Sequence, residues 1–349
     1  MRKRKKNTES KKTTITKDLL KTRNVFLDAS IFEEQNFAHS TKIHSFFYYG
    51  KIGVINIYVT TISKMELFNR IEKRIEESKS ELNQLNRKYN KKETRIIKNL
   101  GLFESIDIPR LDVKKHSAEI KKKIETIFLN SKVQTIQTKN IPLSELVSNY
   151  YKRKPPFHNS GKQNEFIDAF ILKTLEMWCE SNETLMYVIS KDPDILGYKS
   201  DFLIILEDLS ILLENISKTY GRTLKTYNVE EIEKLIEKNR KGLEQLSQDI
   251  IKGKVTVRSK EYDVWDFEII ENKLASYRVI SVREDRTEVE CIFKTNLSFF
   301  TFEITDFIEQ FPKKSTFEIE VTLYIEIKDG KVTGIKQMIE DSDYVFVQK

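Results

Sequence analysis

The chain of 349 residues is long enough for two domains, and its 39% hydrophobic and 32% charged residues are typical of a folded globular protein. Two distant cysteines, Cys179 and Cys291, exclude a disulfide framework and a thiolate zinc cluster, and no apolar run reaches the 18 residues of a membrane-spanning helix. The first residues are basic but lack the apolar stretch of a signal peptide, so we expect a cytoplasmic protein that does not contact the membrane.

The net charge of +7 is unevenly distributed along the chain. Residues 1–23 hold ten Lys and Arg against two acids, residues 24–258 hold 38 against 32, and residues 259–349 hold 12 against 19. Because binding to a polyanion releases its counterions, we expect a nucleic-acid partner to contact the first 258 residues. The alternative is that these lysines only form a solvated surface.

Strand and helix patterns alternate in the first two thirds of the chain, which predicts an α/β fold with a parallel sheet. Residues 63–130 predict a long, charged helical hairpin inserted into that fold. It is a candidate nucleic-acid clamp or dimer arm. The remaining predicted elements of this part are strands over 25–27, 54–59, 185–190 and 202–206, and helices over 30–50, 143–151, 164–180 and 209–218.

Residues 254–349 alternate apolar and polar positions, and Lys328-Asp329-Gly330-Lys331 carries an Asp-Gly hairpin signal. An antiparallel β-barrel or sandwich is therefore predicted after a linking helix over 221–253. Its acidic balance favours contact with a protein partner or a second copy of the chain over contact with nucleic acid. The expected organisation is thus a basic tail over 1–23, an α/β domain over 24–220, the linking helix and the β domain.

Four acids stand at positions where parallel strands end or helices lie beside them. Asp28 follows the first strand, Glu66 follows the second, Asp192 follows a later strand, and Asp168 lies in the apolar helical segment Phe166–Leu172. Because the carboxyl ends of parallel strands meet at one edge of a sheet, these carboxylates are expected to converge on a cation.

Three of the four acids also have a purely structural interpretation. Asp28 is a favourable helix N-cap, Ser63 and Glu66 fit a capping box, and Asp192 or Asp194 suits a turn around Pro193. Asp168 has no such alternative. Burying an unpaired carboxylate within an apolar helix costs roughly several kcal/mol of folding free energy, so Asp168 requires a cation, a proton or a partner.

Over residues 24–218 the chain resembles the PIN-domain nucleases. The resemblance rests on four segments in order, Val25-Phe26-Leu27-Asp28-Ala29-Ser30, Val59–Glu66, Glu165–Ala169 and Val188–Asp192. Pro156-Phe157 and the segment Lys162–Ala169 are similar to the branch of this family that has a long helical insertion.

The resemblance implies a three-layer α/β/α sandwich that uses Mg²⁺ or Mn²⁺ to cut phosphodiester bonds, in RNA more readily than in DNA. Asp28, Glu66, Asp168 and Asp192 would be its catalytic acids, with Glu165 and Asp194 as further candidate metal ligands and Ser30 and Ser190 as auxiliary residues. Toxin or antiphage activity is the cellular role that the family suggests. The alternative is a non-catalytic binding module on a degenerate scaffold of this type.

A basic loop precedes Asp168 and offers a surface for the substrate. Its cations are predicted to bind phosphates, and neighbouring aromatic residues are predicted to stack on bases. The alternative is that these aromatics belong to the core. The cations are Lys152, Arg153, Lys154 and Lys162, and the aromatics are Tyr150, Tyr151 and Phe157.

Overall fold

The computed structural model describes residues 20–89, 110–157, 165–224, 229–254, 256–259, 267–283, 285–301, 313–337 and 344–347. The chain divides into two compact units between Leu212 and Leu213, so that Lys21–Leu212 form one unit. None of the helices in these ranges is both long and apolar enough to cross a bilayer.

The first unit alternates strands and helices. Its elements are β1 (Asn24–Leu27), α1 (Ala29–Glu34), α2 (Thr41–Lys51), β2 (Asn56–Thr60), α3 (Thr61–Tyr89), α4 (Val113–Asn130), β3 (Gln134–Ile136), α5 (Leu143–Tyr151), α6 (Glu165–Ser181), β4 (Met186–Ile189), α7 (Pro193–Leu196) and β5 (Leu203–Leu206). A further helix, α8 (Leu209–Leu224), contains the boundary between the two units.

Five parallel strands form the central sheet in the order β3-β2-β1-β4-β5. Strand β1 lies in the middle, and all four of its residues are buried, as expected for a strand covered on both faces. With its flanking helices, this sheet confirms the predicted α/β/α fold. The carboxyl ends of β1, β2 and β4 lie at one edge, where the candidate acids follow them.

Helices α3 and α4 pack against each other and account for the described parts of the predicted helical insertion. Lys121 bonds to Glu72 at 3.0 Å, and Lys64 bonds to Glu125 at 3.1 Å. Both lysines also approach the ring of Phe68. The middle of the predicted hairpin, residues 90–109, lies outside the described residues.

The start of α3 differs from the predicted capping box. The helix begins at Thr61, and the reciprocal bonds join Thr60 and Ser63: the Ser63 amide donates to Thr60 Oγ1, and the Thr60 amide donates to Ser63 Oγ, each at 2.9 Å. Glu66 is therefore not a capping residue, and the structural interpretation of this acid from the sequence is wrong. Its carboxylate has another partner, described below.

Among its described residues, the second unit contains α9 (Val229–Lys254) and six strands: β6 (Thr256–Ser259), β7 (Phe267–Val282), β8 (Thr287–Thr301), β9 (Lys313–Lys328), β10 (Lys331–Gln337) and β11 (Tyr344–Val347). The antiparallel β-rich part predicted from the sequence is confirmed as a four-stranded meander in the order β10-β9-β8-β7. Ile236, Leu243 and Ile251 of α9 pack with Val289 and Phe293 of β8 in one core. Strands β6 and β11 pair in parallel.

The Asp-Gly turn joins β9 to β10 as predicted. Asp329 and Gly330 have φ values of 49° and 68°, the left-handed backbone that a tight hairpin requires at both central positions. Strand β7 is one 16-residue strand, whereas the alternation of apolar and polar residues in the sequence predicts two shorter strands here, over 264–270 and 277–282.

Candidate functional site

Asp28 follows β1 directly and is 3% exposed. Its amide donates to the carbonyl of Ile189 at the end of β4, which brings the two strand ends together. Its Oδ2 accepts from the amide of Ser30 at 3.1 Å, from the Ser30 hydroxyl, and from the Ser190 hydroxyl at 3.0 Å. Asp28 also caps α1, so the structural role that the sequence allowed for it coexists with its place at the sheet edge.

Ser190 connects Asp28 to the next acid along the sheet edge. This fully buried side chain donates to Asp28 and accepts from the amide of Asp192 at 3.0 Å. Asp192 caps α7, and its Oδ1 accepts from the amide of Asp194 at 2.9 Å. Asp194 is 1% exposed.

Replacing Ser190 by alanine is expected to lower the free energy of unfolding by about 1–3 kcal/mol, because the buried carboxylate of Asp28 and the partly buried amide of Asp192 each lose a hydrogen-bond partner. Urea denaturation measures this change. The matched control is Ser181→Ala, whose exposed hydroxyl bonds to the Met177 carbonyl and should matter little. Equal stability of the two variants would show that Ser190 does not support the sheet edge.

Glu66 lies on α3, six residues beyond the end of β2. Its Oε1 accepts two bonds from Arg70, from Nε at 3.0 Å and from Nη2 at 2.8 Å. Its Oε2 is buried and has no hydrogen-bond partner within the described ranges. Burial raises the pKa of Glu66, Asp28 and Asp192 add to this effect, and the bond from Arg70 opposes it.

Asp168, on α6, is 8% exposed. Burial raises its pKa to about 8, and the charges of Asp28, Glu66 and Asp192 contribute to this rise, against the opposing charge of Arg70. At neutral pH the carboxyl group is therefore mostly protonated in the absence of a cation. All four predicted acids consequently lie within electrostatic reach of one another, and we call these four residues the acid cluster.

The donors of the acid cluster suit a hard divalent cation, because they are carboxylate oxygens and one of them, Glu66 Oε2, is buried with no partner among the residues that the structure describes. In the described part of the chain, however, no three His, Cys, Asp or Glu side chains converge closely enough to hold an ion as they stand. Arg70 holds one oxygen of Glu66, and the two serines hold one oxygen of Asp28. Binding of an ion therefore requires rearrangement of side chains.

Arg70 is not among the site residues predicted from the sequence, although the sequence contains a signal for it. Glu66 and Arg70 stand four residues apart on a helix, a spacing that pairs opposite charges. Of the other predicted residues, Glu165 is the first residue of α6 and its side chain is not described, while Lys162 lies outside the described residues.

An exposed apolar face on α5 leads into the basic loop. The exposed residues of this face are Leu143, Val147, Tyr150 and Tyr151, the last of them 79% exposed. Lys152, Arg153 and Lys154 follow, all exposed, and none of them pairs with a carboxylate in the described ranges. We call these seven residues the α5 surface.

The α5 surface is linked to the acid cluster through α6. Tyr150 contacts the ring of Phe166, two residues before Asp168, with ring centroids 5.0 Å apart. Phe157 also packs on Phe166 and is only 3% exposed. The expectation that Phe157 offers a stacking surface is therefore wrong, because this ring belongs to a small core, whereas Tyr150 and Tyr151 remain accessible.

Comparison with known proteins identifies a family for the first unit. The family model described as PIN domain matches residues 25–195, a range that contains all four residues of the acid cluster. No curated protein and no solved structure matches the chain.

Proposed function

Residues 25–195 belong to the PIN-domain family, and from this membership we propose that the chain is a metal-dependent endonuclease that cuts RNA. The family supports a nuclease fold. The observation that carries the proposal is Asp168, a buried carboxyl group whose pKa is raised to about 8 beside three other carboxyl groups at the edge of the sheet. Carboxyl groups with strongly perturbed pKa values cluster at functional sites.

We propose that Asp28, Glu66, Asp168 and Asp192 bind Mg²⁺ or Mn²⁺, with Glu165 and Asp194 as candidates for an additional ligand. A bound ion of this type supplies hydroxide near neutral pH and stabilises charge on the phosphate. Asp168 contributes by losing its proton when the ion binds. Ser190 and Ser30 keep Asp28 oriented, and Ser190 fixes the backbone of Asp192. The charge that Asp192 exerts on Asp168 and Glu66 favours it over Asp194 as the fourth acid.

The substrate proposed for this site is single-stranded RNA held along the α5 surface. Exposed tyrosines beside exposed cations match the way in which single-stranded nucleic acids are bound, with bases stacked on rings and phosphates held by charge. Lys162 is proposed to extend this basic surface. A toxin or antiphage role is the cellular function that we propose from the family resemblance.

Combined replacement of Lys152, Arg153 and Lys154 by alanine is expected to weaken RNA binding. The salt dependence of log K should also fall by about 0.7 for each phosphate that the variant no longer neutralises. Fluorescence anisotropy with a labelled single-stranded RNA in EDTA measures both quantities without cleavage. The control is the triple replacement of Lys234, Lys238 and Lys241, which are lysines of α9. Equal losses of affinity in the two triple variants would contradict a specific α5 surface.

The proposed activity is tested by incubating the full chain with single-stranded RNA and DNA of the same sequence, labelled at one end, in Mg²⁺, Mn²⁺ or EDTA. We expect internal cuts in the RNA that require the metal, with slower cutting of the DNA. Equal or faster cutting of DNA would contradict the proposal that RNA is the preferred substrate. Absence of any cutting by a folded chain that binds Mn²⁺ would contradict the nuclease.

A non-catalytic binding module is the second candidate function. It is favoured by the capping bonds of Asp28 and Asp192, which give both acids a structural role. In the same experiment this candidate predicts RNA that is bound but not cut. For the acidic residues 254–349 we propose contact with a protein partner or a second copy of the chain. Light scattering of the purified protein would detect a second copy as a doubled mass.

A further inference from the structure

Arg70 joins the acid cluster to a second carboxylate outside it. Its Nε and Nη2 donate to Glu66 Oε1, and its Nη1 donates to Glu33 Oε2 at 2.8 Å. The guanidinium therefore bridges α1 and α3, with each of its three nitrogens engaged. A planar donor held on two sides in this way has a fixed position.

Glu33 is itself held in place. Arg74 bonds to its other oxygen, Oε1, and pairs with Glu77 at 2.7 Å. Burial would raise the pKa of Glu33, but the bonds from Arg70 and Arg74 outweigh it and lower the pKa. Glu33 thus remains anionic and anchors the far side of Arg70.

The charge of Arg70 acts on the acid cluster. It opposes the raised pKa of Asp168 and of Glu66, and the charge of Asp28 acts on Arg70 in return. An arginine keeps its proton at every relevant pH, so this positive charge is permanent.

A pocket of about 530 Å³ opens along α3 beside Glu66. Its lining includes Glu33, Arg70 and Arg74 but not the other three residues of the acid cluster. What opposes a second ion is the positive guanidinium beside Glu66 together with the saturation of Glu66 Oε1, which leaves Oε2 as the oxygen without a partner among the described residues.

We propose that Arg70 is a resident cation of the acid cluster, that it restricts Glu66 to one ligating oxygen, Oε2, and that the site consequently takes one divalent ion per chain. In sites with two ions, the second ion supplies positive charge beside the carboxylates. Here Arg70 supplies that positive charge. Arg70 acts through Glu66 and is a positioning residue. The inference rests on the proposed metal-dependent function and specifies its stoichiometry.

The test is the number of Mn²⁺ ions bound per full-length chain at pH 8, measured by calorimetry and by electron paramagnetic resonance after removal of metal with EDTA. We expect one ion for the wild type and for Arg70→Lys, which keeps the charge. Arg70→Met is expected to bind two, because Glu66 Oε1 and Glu33 Oε2 both lose their donor. Arg74→Met is the matched control: it removes an arginine from Glu33 but leaves the bonds between Arg70 and Glu66, and should bind one.

Two ions in the wild type, or one ion of unchanged affinity in Arg70→Met, would overturn this inference and leave a metal-dependent nuclease intact. Absence of Mn²⁺ binding by a folded wild type would overturn the proposed function and this inference with it. Circular dichroism verifies folding. If Arg70→Met does not fold, the count for the wild type and its retention in Arg70→Lys decide the matter.

Discussion

Replacing Asp168 with asparagine is expected to abolish cleavage and, at the same time, to stabilise the metal-free protein at pH 8. The loss of activity should be about 10²-fold or more, the scale associated with removing one group that stabilises charge in a reaction. The gain in stability arises because asparagine is nearly isosteric and carries no charge to bury.

The sign of the stability effect follows from the raised pKa of Asp168. Unfolded, this carboxyl group titrates at its ordinary value near 3.8, whereas folded it titrates at about 8. Between these values the folded state binds a proton that the unfolded state has lost, so the metal-free wild type loses stability as pH rises. The contribution of this one group is about 1.4 kcal/mol per pH unit between about pH 5 and pH 7.

Urea denaturation of the wild type and Asp168→Asn from pH 4 to pH 8, both in EDTA, isolates this contribution as a difference between the two proteins. The difference in the free energy of unfolding between the two proteins should be small at pH 4 and largest at pH 8 and above. The control is Asp201→Asn, an exposed acid that precedes β5 at the opposite edge of the sheet. A difference in the free energy of unfolding that does not change with pH would contradict the claim that Asp168 is buried and protonated in the metal-free protein.

The second large effect is on the affinity for Mn²⁺, which is expected to rise with pH. An ion must displace the proton of Asp168, so the apparent dissociation constant should fall about tenfold per pH unit well below pH 8, or about 50-fold between pH 6 and pH 8. Titration calorimetry measures this directly. In buffers of different ionisation enthalpy, the heats should also reveal about one proton released per ion at pH 7.

The asparagine of Asp168→Asn has no carboxyl proton that an ion could displace. This variant should bind Mn²⁺ weakly, and its affinity should depend much less on pH. An affinity of the wild type that stays constant between pH 6 and pH 8 would mean that Asp168 is either ionised without metal or does not take part in binding. The two explanations separate through the stability difference described above.

The position of the acid cluster could be predicted from the sequence because parallel strands impose it. Asp28 and Asp192 follow adjacent buried strands, so their convergence depends on topology alone. Asp168 was recognisable as a carboxyl group in an apolar helical segment. Each of these signals is local in sequence, and each can be read without knowledge of distant packing.

The contact between Arg70 and Glu33 could not be predicted from the same signals. The spacing of Ser63 and Glu66 fits a capping box, yet Thr60 takes that role, because the helix begins at Thr61. Glu66 instead pairs with Arg70, whose second contact, Glu33, lies on another helix. Contacts across 37 positions leave no periodic pattern in the sequence, so only the structure reveals this network.

The length of β7 could not be predicted from the sequence for a different reason. Its pairing with β8 shifts register three times, between Ile269 and Glu271, Leu274 and Ser276, and Val279 and Ser281. Each shift reverses the faces of the side chains that follow, which interrupts the alternation by which a strand is recognised. The sequence pattern therefore suggested two strands where the chain forms one.

The most direct test of the proposed hydrolysis is the rate of internal RNA cleavage at pH 8 in Mn²⁺ by the wild type, Asp168→Asn and Asp201→Asn, all shown to be folded. An acid cluster that performs metal-dependent hydrolysis predicts cutting by the wild type and Asp201→Asn, and loss of cutting in Asp168→Asn. Cutting by Asp168→Asn at the wild-type rate would contradict this role of the acid cluster.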